Sequence, residues 1–349
     1  MKAKALQFGK AISAALFVLL LSVAGMKNAL AQTQVATLQH GDNISVFYGQ
    51  NAFVDAHTAA ETGDIITLSS GSFTPCDITK AITLRGAGCA IDTVTGVYPT
   101  IIPNNIQMNV TDETTSLYVE GIYFSGTVNC GNLNHPKFIK CNIRDWAYSY
   151  NINNASMQNA QFLNCKFLTC DFNHATNTTL INCVISSAHG LADVSRTMTA
   201  YNCFLRLYVS AYALNAYNCI ISQDFSGYNV LEQNSVAYNC IGIRIPGYGH
   251  PIFYGIPTYN CVNSSYESVF EDFNPGDYSV VSFDEPLNLK EEFVTGFLGN
   301  DGTQVSIHGG LMPYTSRPSY MVIDHCNVAN RSTIDGKLSV EIEVSTQGE

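Results

Sequence analysis

The 349-residue sequence predicts an all-β fold, a parallel β-helix in which short strands wind into a single stack of coils. Three observations carry that expectation. An Asn-Cys dipeptide recurs as Asn164-Cys165, Asn182-Cys183, Asn202-Cys203, Asn218-Cys219, Asn239-Cys240 and Asn260-Cys261. Cys141, preceded by Lys140, is an earlier member, so the Cys-to-Cys intervals run 24, 18, 20, 16, 21 and 21 residues. An apolar residue or tyrosine stands two positions before each of these Cys residues, and most have another two after, as Ile143, Phe167, Ile185, Leu205 and Ile221.

Strand side chains alternate between faces, so the residue two before, the Cys and the residue two after are expected to share one face. Tyr201, Tyr217, Tyr238 and Tyr259 would then line the core beside the Cys column, with Asn on the other face or at a bend. A leucine-rich repeat of similar period would show Leu-x-x-Leu-x-Leu spacing and a helical half; neither is present. In a parallel β-helix, a coil of roughly 20 residues brings equivalent residues to about 4.8 Å from one another. Loops of varying length between constant strands account for the uneven interval.

The thiols follow from the same geometry. Twelve Cys residues in an exported chain would favour disulfides. Equivalent positions on successive coils, however, give parallel Cβ vectors about 4.8 Å apart, whereas a relaxed bridge wants Cβ atoms nearer about 3.8 Å. Cys165, Cys183, Cys203, Cys219, Cys240 and Cys261 are therefore expected to be buried and mostly reduced, serving as small apolar fillers.

The export expectation rests on the first residues. Lys2, Lys4 and Lys10 precede an apolar run over residues 11–25, and Ala29-Leu30-Ala31 offers a small-x-small site for cleavage between Ala31 and Gln32. The run is shorter than the about 20 apolar residues that span a bilayer. A soluble mature protein without a transmembrane segment is expected, in the periplasm, at the cell surface or in the medium. Cleavage would remove four lysines (Lys2, Lys4, Lys10, Lys27) and no acid, taking the net charge from −11 to −15. So acidic a chain lacks the cations that neutralise phosphates, which argues against nucleic acid and weakens polyanionic sugars as partners. Only 13% of residues are charged while 46% are hydrophobic, so the core is ample and the surface is built from amides and hydroxyls.

The N-terminal part carries a second signature. Residues 52–61 read as a short amphipathic helix, Gly63-Asp64 opens a strand, Ser70-Gly71-Ser72-Phe73 a turn and Ile82-Thr83-Leu84-Arg85-Gly86 the next strand. This order, continued by Val119-Glu120-Gly121-Ile122-Tyr123-Phe124, resembles the opening of pectin-lyase-like right-handed parallel β-helix proteins. The resemblance implies a right-handed single-stranded solenoid whose helix caps the open end, where unpaired strand edges need cover. It extends over roughly residues 45–265 and speaks to fold, not activity. The organisation expected is a signal peptide (1–31), the solenoid with its cap (32–265), an irregular acidic segment covering the last coil (266–312) and a two-strand tail (313–349). In the tail, Met321-Val322-Ile323 and residues 337–344 alternate about a turn at Asp335-Gly336. This tail resembles the small C-terminal β module of uncharacterised bacterial exported β-helix proteins.

The chemistry of enzymes on this fold is sought and mostly missing. Lyases need carboxylates on adjacent coils for Ca²⁺ and an Arg or Lys base; hydrolases need paired carboxylates. Asp145, Asp171 and Asp224 stand four, six and five residues after their Cys, forming no column, and no Lys occurs between Lys166 and Lys290. No catalytic residue, metal ligand or cofactor is assigned. Asp171 and His174 would face opposite sides of a strand, His189 and His250 read as turn residues, and the Cys165–Cys170 spacing is wrong for a CxxC pair. Tyr208, Tyr212, Tyr228, Tyr248 and Tyr254 fall between repeats, where exposed rings can stack on sugars. The expectation is a secreted or cell-surface protein without catalysis, structural or holding a glycan or a protein partner. The competing one is a polysaccharide lyase or glycoside hydrolase using Asp145, Asp171 and Arg206.

Overall fold

The structure is a computed structural model describing residues 34–92, 96–112, 114–148, 156–188, 197–208, 210–223, 230–232, 234–244, 250–271, 287–315, 321–328 and 340–346. The expected signal peptide and its cleavage site at Ala31 and Gln32 lie outside the described residues.

The fold is a parallel β-solenoid. A 12-stranded first sheet, an 11-stranded second sheet and a 3-stranded third sheet run along the stack. Chain passes from Lys137–Ile139 in the first sheet to Asn142–Tyr148 in the second, and returns to Gln161–Leu163 in the first, pairing in parallel with the coil before. Ahead of the coils, Val35–His40 and Asn43–Tyr48 form a hairpin whose first strand pairs antiparallel with Ile65–Leu68. Helix α1 (Ala52–Ala59) packs beside it and buries Ala52, Phe53, Ala56 and His57. At the other end of the sequence, Met321–Val328 and Val340–Thr346 pair as an antiparallel two-stranded sheet; the expected turn at 335–336 lies outside the described residues.

The Asn of each repeat is the corner between the first and second sheets. Asn164, Asn182, Asn202, Asn218, Asn239 and Asn260 have φ of 53°, 49°, 51°, 55°, 50° and 51°, and Lys140 holds the same place at 49°. Asn tolerates this left-handed conformation better than other side chains that carry a Cβ. Each corner N–H donates to the next coil, as from Asn182 to Tyr201 O and from Asn218 to Tyr238 O, both 3.0 Å. The six Asn residues therefore stand in one column. A second left-handed column, at His135, Asn159, Asn177, Ala213 and Asn234, turns the chain into the first sheet. There Asn177 Nδ2 donates to Asn159 Oδ1 at 3.3 Å, an amide ladder the repeat motif does not announce.

The corner also decides which side each neighbour takes. Ala200 points in, Tyr201 out, Asn202 makes the bend, and Cys203 and Leu205 point in, with Phe204 between them on the outer face. The tyrosines before each Asn-Cys are thus outside the core, contrary to the expectation from strict alternation. Tyr201 and Tyr259 are 39% and 55% exposed.

Inside, Cys141, Cys165, Cys183, Cys203, Cys219 and Cys240 are buried, Cys261 is half-buried, and all are free. Backbone N–H groups of Cys183, Cys203, Cys219 and Cys240 each point at the next coil's Sγ, 3.4 Å away. The thiols donate in turn to the carbonyl two residues back, as from Cys203 to Tyr201 O at 3.1 Å. Burial pushes the Cys89 and Cys130 thiols up to about 12. At pH 8 the thiolate fraction is then on the order of 1 in 10,000. Iodoacetamide should leave both unmodified in the native protein, whereas titration after unfolding without reductant should find most of the column free. Fewer than two free thiols among the six repeat Cys residues would show the column to be cross-linked.

The corner geometry gives a second expectation. Asn239→Ala places a Cβ residue without a compensating amide at φ 50°, which costs about 1–2 kcal/mol. It also removes the acceptor of the 2.7 Å bond from Asn260 Nδ2. Asn239→Gly should lose clearly less in urea unfolding. Equal losses would mean that the corner conformation stores no strain.

Candidate functional site: the outer faces of the coils

The outer face of the second sheet carries one aligned column. Strand register runs Ile101, Tyr123, Asn142, Lys166, Val184, Phe204, Ile220, Ile241, Val262. So many apolar residues on an outward face need cover, and the C-terminal segment supplies it. Val184, Phe204, Ile220, Ile241 and Ile243 form a second buried cluster with Tyr266, Val269, Phe270, Leu287, Leu289, Val305 and Ile307. The stretch expected over the last coil thus lies, in its described residues, as a strap along the side of the stack.

The Asn corner holds the strap. Asn182 Nδ2 donates to Ile307 O at 3.0 Å and Gly309 O at 2.7 Å. Asn218 Nδ2 donates to Asn300 Oδ1 at 3.0 Å, and Asn300 N–H returns a bond to Asn218 Oδ1 at 3.1 Å. The corner amides therefore do more than bond coil to coil; between Asn182 and Asn218 they grip an irregular chain by its polar groups. Tyr314 stands at the strap's far end, its ring 5.0 Å from Lys166 Nζ.

Beyond Lys166 the column is uncovered, and a groove opens there. Its volume is ≈ 690 Å³, within the range of about 300–1,000 Å³ usual for ligand clefts. The floor is Ile101, Tyr123 and Asn142, with Arg144 and Leu168 level with one another on adjacent coils. The loop from Cys89 to Pro99 forms one wall and presents Tyr98, 66% exposed. Asn142 is nine-tenths buried; its Nδ2 donates to Cys89 O at 3.0 Å, which fixes the amide, and its Oδ1 has no hydrogen-bond partner. Arg144 is exposed and makes no ion pair among the described residues.

The sequence candidates are scattered. Asp145 accepts from Thr127 Oγ1 at 3.0 Å and Thr169 Oγ1 at 2.5 Å. Asp171 accepts from Asn173 N–H at 2.9 Å and lines a void of ≈ 10 Å³ with His174, room for about one water. Arg206 is buried on the second sheet, three coils on from Asp145 along the strand order, or roughly 14 Å at one strand spacing per coil. The three do not converge. Among the tyrosines, Tyr208 is exposed, Tyr212 half-buried, and Tyr254 lies on His250 with centroids 4.0 Å apart. Tyr228 and Tyr248, like His189, are outside the described residues. Among the described residues no group of three or more His, Cys, Asp or Glu could hold a metal ion.

A second feature marks the first sheet's outer face. Tyr201, Tyr217, Tyr238 and Tyr259 stack with centroids 5.0, 5.0 and 4.5 Å apart and planes within 15° of parallel. Aligned with them on earlier coils are Ile181, Leu163 and Ile139. Stacking along the column consumes the ring faces, so the ladder shows ring edges to solvent and leaves little aromatic face for a sugar.

Compared with protein-family models, with curated proteins and with solved structures, the chain matches none. The class defined by the coordinates is a parallel β-solenoid. No helix among the described residues is long and apolar enough to cross a membrane.

Proposed function

We propose that this chain is an exported, non-catalytic carbohydrate-binding solenoid of the pectin-lyase-like type, wound right-handed with α1 as its cap, acting outside the cytoplasm or at the cell surface. The observation that carries the reading is the groove beside the strap. Tyrosine rings, aliphatic side chains, an amide oxygen without a partner and a lone guanidinium meet there in a cleft of ligand size. Sugars ask for this mixture, because a pyranose offers an apolar C–H face and a polar rim. Absence of catalysis is argued from the carboxylates: those of Asp145 and Asp171 accept bonds from neighbouring groups of the stack, and neither shares a site with Arg206. The acidic chain, with net charge −11, favours a neutral glycan over a polyanion.

The test is a glycan-array screen of the purified protein beside Tyr123→Ala, with a parallel assay for new reducing or unsaturated ends. Binding of a neutral glycan is expected, with a loss of about 10-fold in Tyr123→Ala, since stacking on one aromatic ring is worth about 1–2 kcal/mol. Time-dependent product release abolished by Asp171→Ala would overturn the non-catalytic reading.

A further inference from the structure

Resting on that reading, we infer that the groove selects a neutral 2-acetamido sugar, an N-acetylhexosamine unit, over a plain hexose. Four features of the wall each ask for a complementary group. The Oδ1 of Asn142 lacks a hydrogen-bond partner and calls for a donor, and the 3.0 Å bond from Nδ2 to Cys89 O keeps the amide from flipping to offer one instead. Arg144, exposed and without an ion pair among the described residues, calls for an acceptor. Ile101 lies two coils before Asn142 in the same column, and Leu168 stands beside Arg144, so aliphatic surface flanks both polar groups. Tyr98 and Tyr123 supply rings for a sugar's C–H face.

A hexose hydroxyl can give to Asn142 and take from Arg144, but it leaves the aliphatic surface facing polar groups. An acetamido substituent satisfies all of it at once. Its N–H is the donor for Asn142 Oδ1, its carbonyl the acceptor for Arg144, and its methyl fills the space beside Ile101 and Leu168. A carboxylate would also suit Arg144 but would leave the Asn142 oxygen without a donor. It would also enter a chain with 28 acidic residues against 17 basic ones.

The experiment is calorimetric titration of the purified protein with N,N′,N″-triacetylchitotriose and with cellotriose, which share their linkage and differ at C2. Buried polar groups left unpaired by the wrong ligand discriminate strongly, so the acetylated trimer should bind at least ~10-fold more tightly. Asn142→Leu should erase that preference; because it also removes the bond to Cys89 O, exposed Arg144→Gln serves as the second variant and should reduce it. Equal binding of the two trimers, or tighter cellotriose, would overturn the acetamido assignment and leave the glycan reading standing. Failure of both trimers alongside an array without any sugar ligand would remove the glycan reading as well.

Discussion

Phe162→Ala should cost about 3–5 kcal/mol, the largest loss expected from any single core truncation in this chain. Phe162 is fully buried, with Phe138 stacked at 5.0 Å, Trp146 and Phe167 edge-on at 5.3 and 5.2 Å, and Phe172 at 5.7 Å. These rings belong to adjacent coils, so the truncation leaves a cavity that bridges two coil-to-coil contacts. In a solenoid each coil touches only its neighbours, and stability is close to a sum of nearest-neighbour terms. Urea unfolding followed by Trp146 fluorescence should therefore report an early transition in the variant, with strands remote from this cluster unfolding later by far-UV circular dichroism. A loss under about 1 kcal/mol would mean that the site collapses around the deletion and that the rings do not form one packed unit.

Gly309→Val is expected to release the strap while leaving the coils folded. A Cβ at Gly309 would lie 1.5 Å from Gln304 O and 2.9 Å from Asn202 Nδ2, so no side chain fits while the strap holds the Asn corner. Release uncovers Val184, Phe204, Ile220, Ile241 and Ile243, each worth about 1.5–3 kcal/mol when buried. Cleavage by a broad-specificity protease between residues 287 and 315 should accelerate at least ~10-fold, and an apolar dye should light up on the bared face. The strand signal in circular dichroism should persist. Proteolysis at the wild-type rate would show that the strap is not held through this contact.

The repeat made the solenoid legible because its period reports the coil and its alternation reports the strand. Cys203 and Leu205 lie inside, as alternation requires. Alternation misplaced Tyr201 because it assumes extended backbone across Asn202, whose φ of 51° turns the chain at that point. A rule that Asn before Cys marks a corner would have put the tyrosines outside. The same corner concealed the role of the amides: Asn182 and Asn218 bond residues more than 80 positions away, a separation no local pattern encodes. The groove was illegible for a related reason. Tyr98, Tyr123, Asn142 and Leu168 sit in a loop and three different coils, and only the stacking register brings them together. Val184, Phe204 and Ile220 carried a readable signal, since an apolar residue directly after each Cys on an outward strand position implies a covering segment.

The most direct test of the central claim is a crystal structure of the protein with the tightest-binding oligosaccharide from the array. The account predicts an intact sugar in the groove, one ring against Tyr123 or Tyr98, its polar groups meeting Asn142 and Arg144. Sugar bound along the Tyr201–Tyr259 ladder with the groove empty, or a cleaved product beside Asp145 or Asp171, would contradict it.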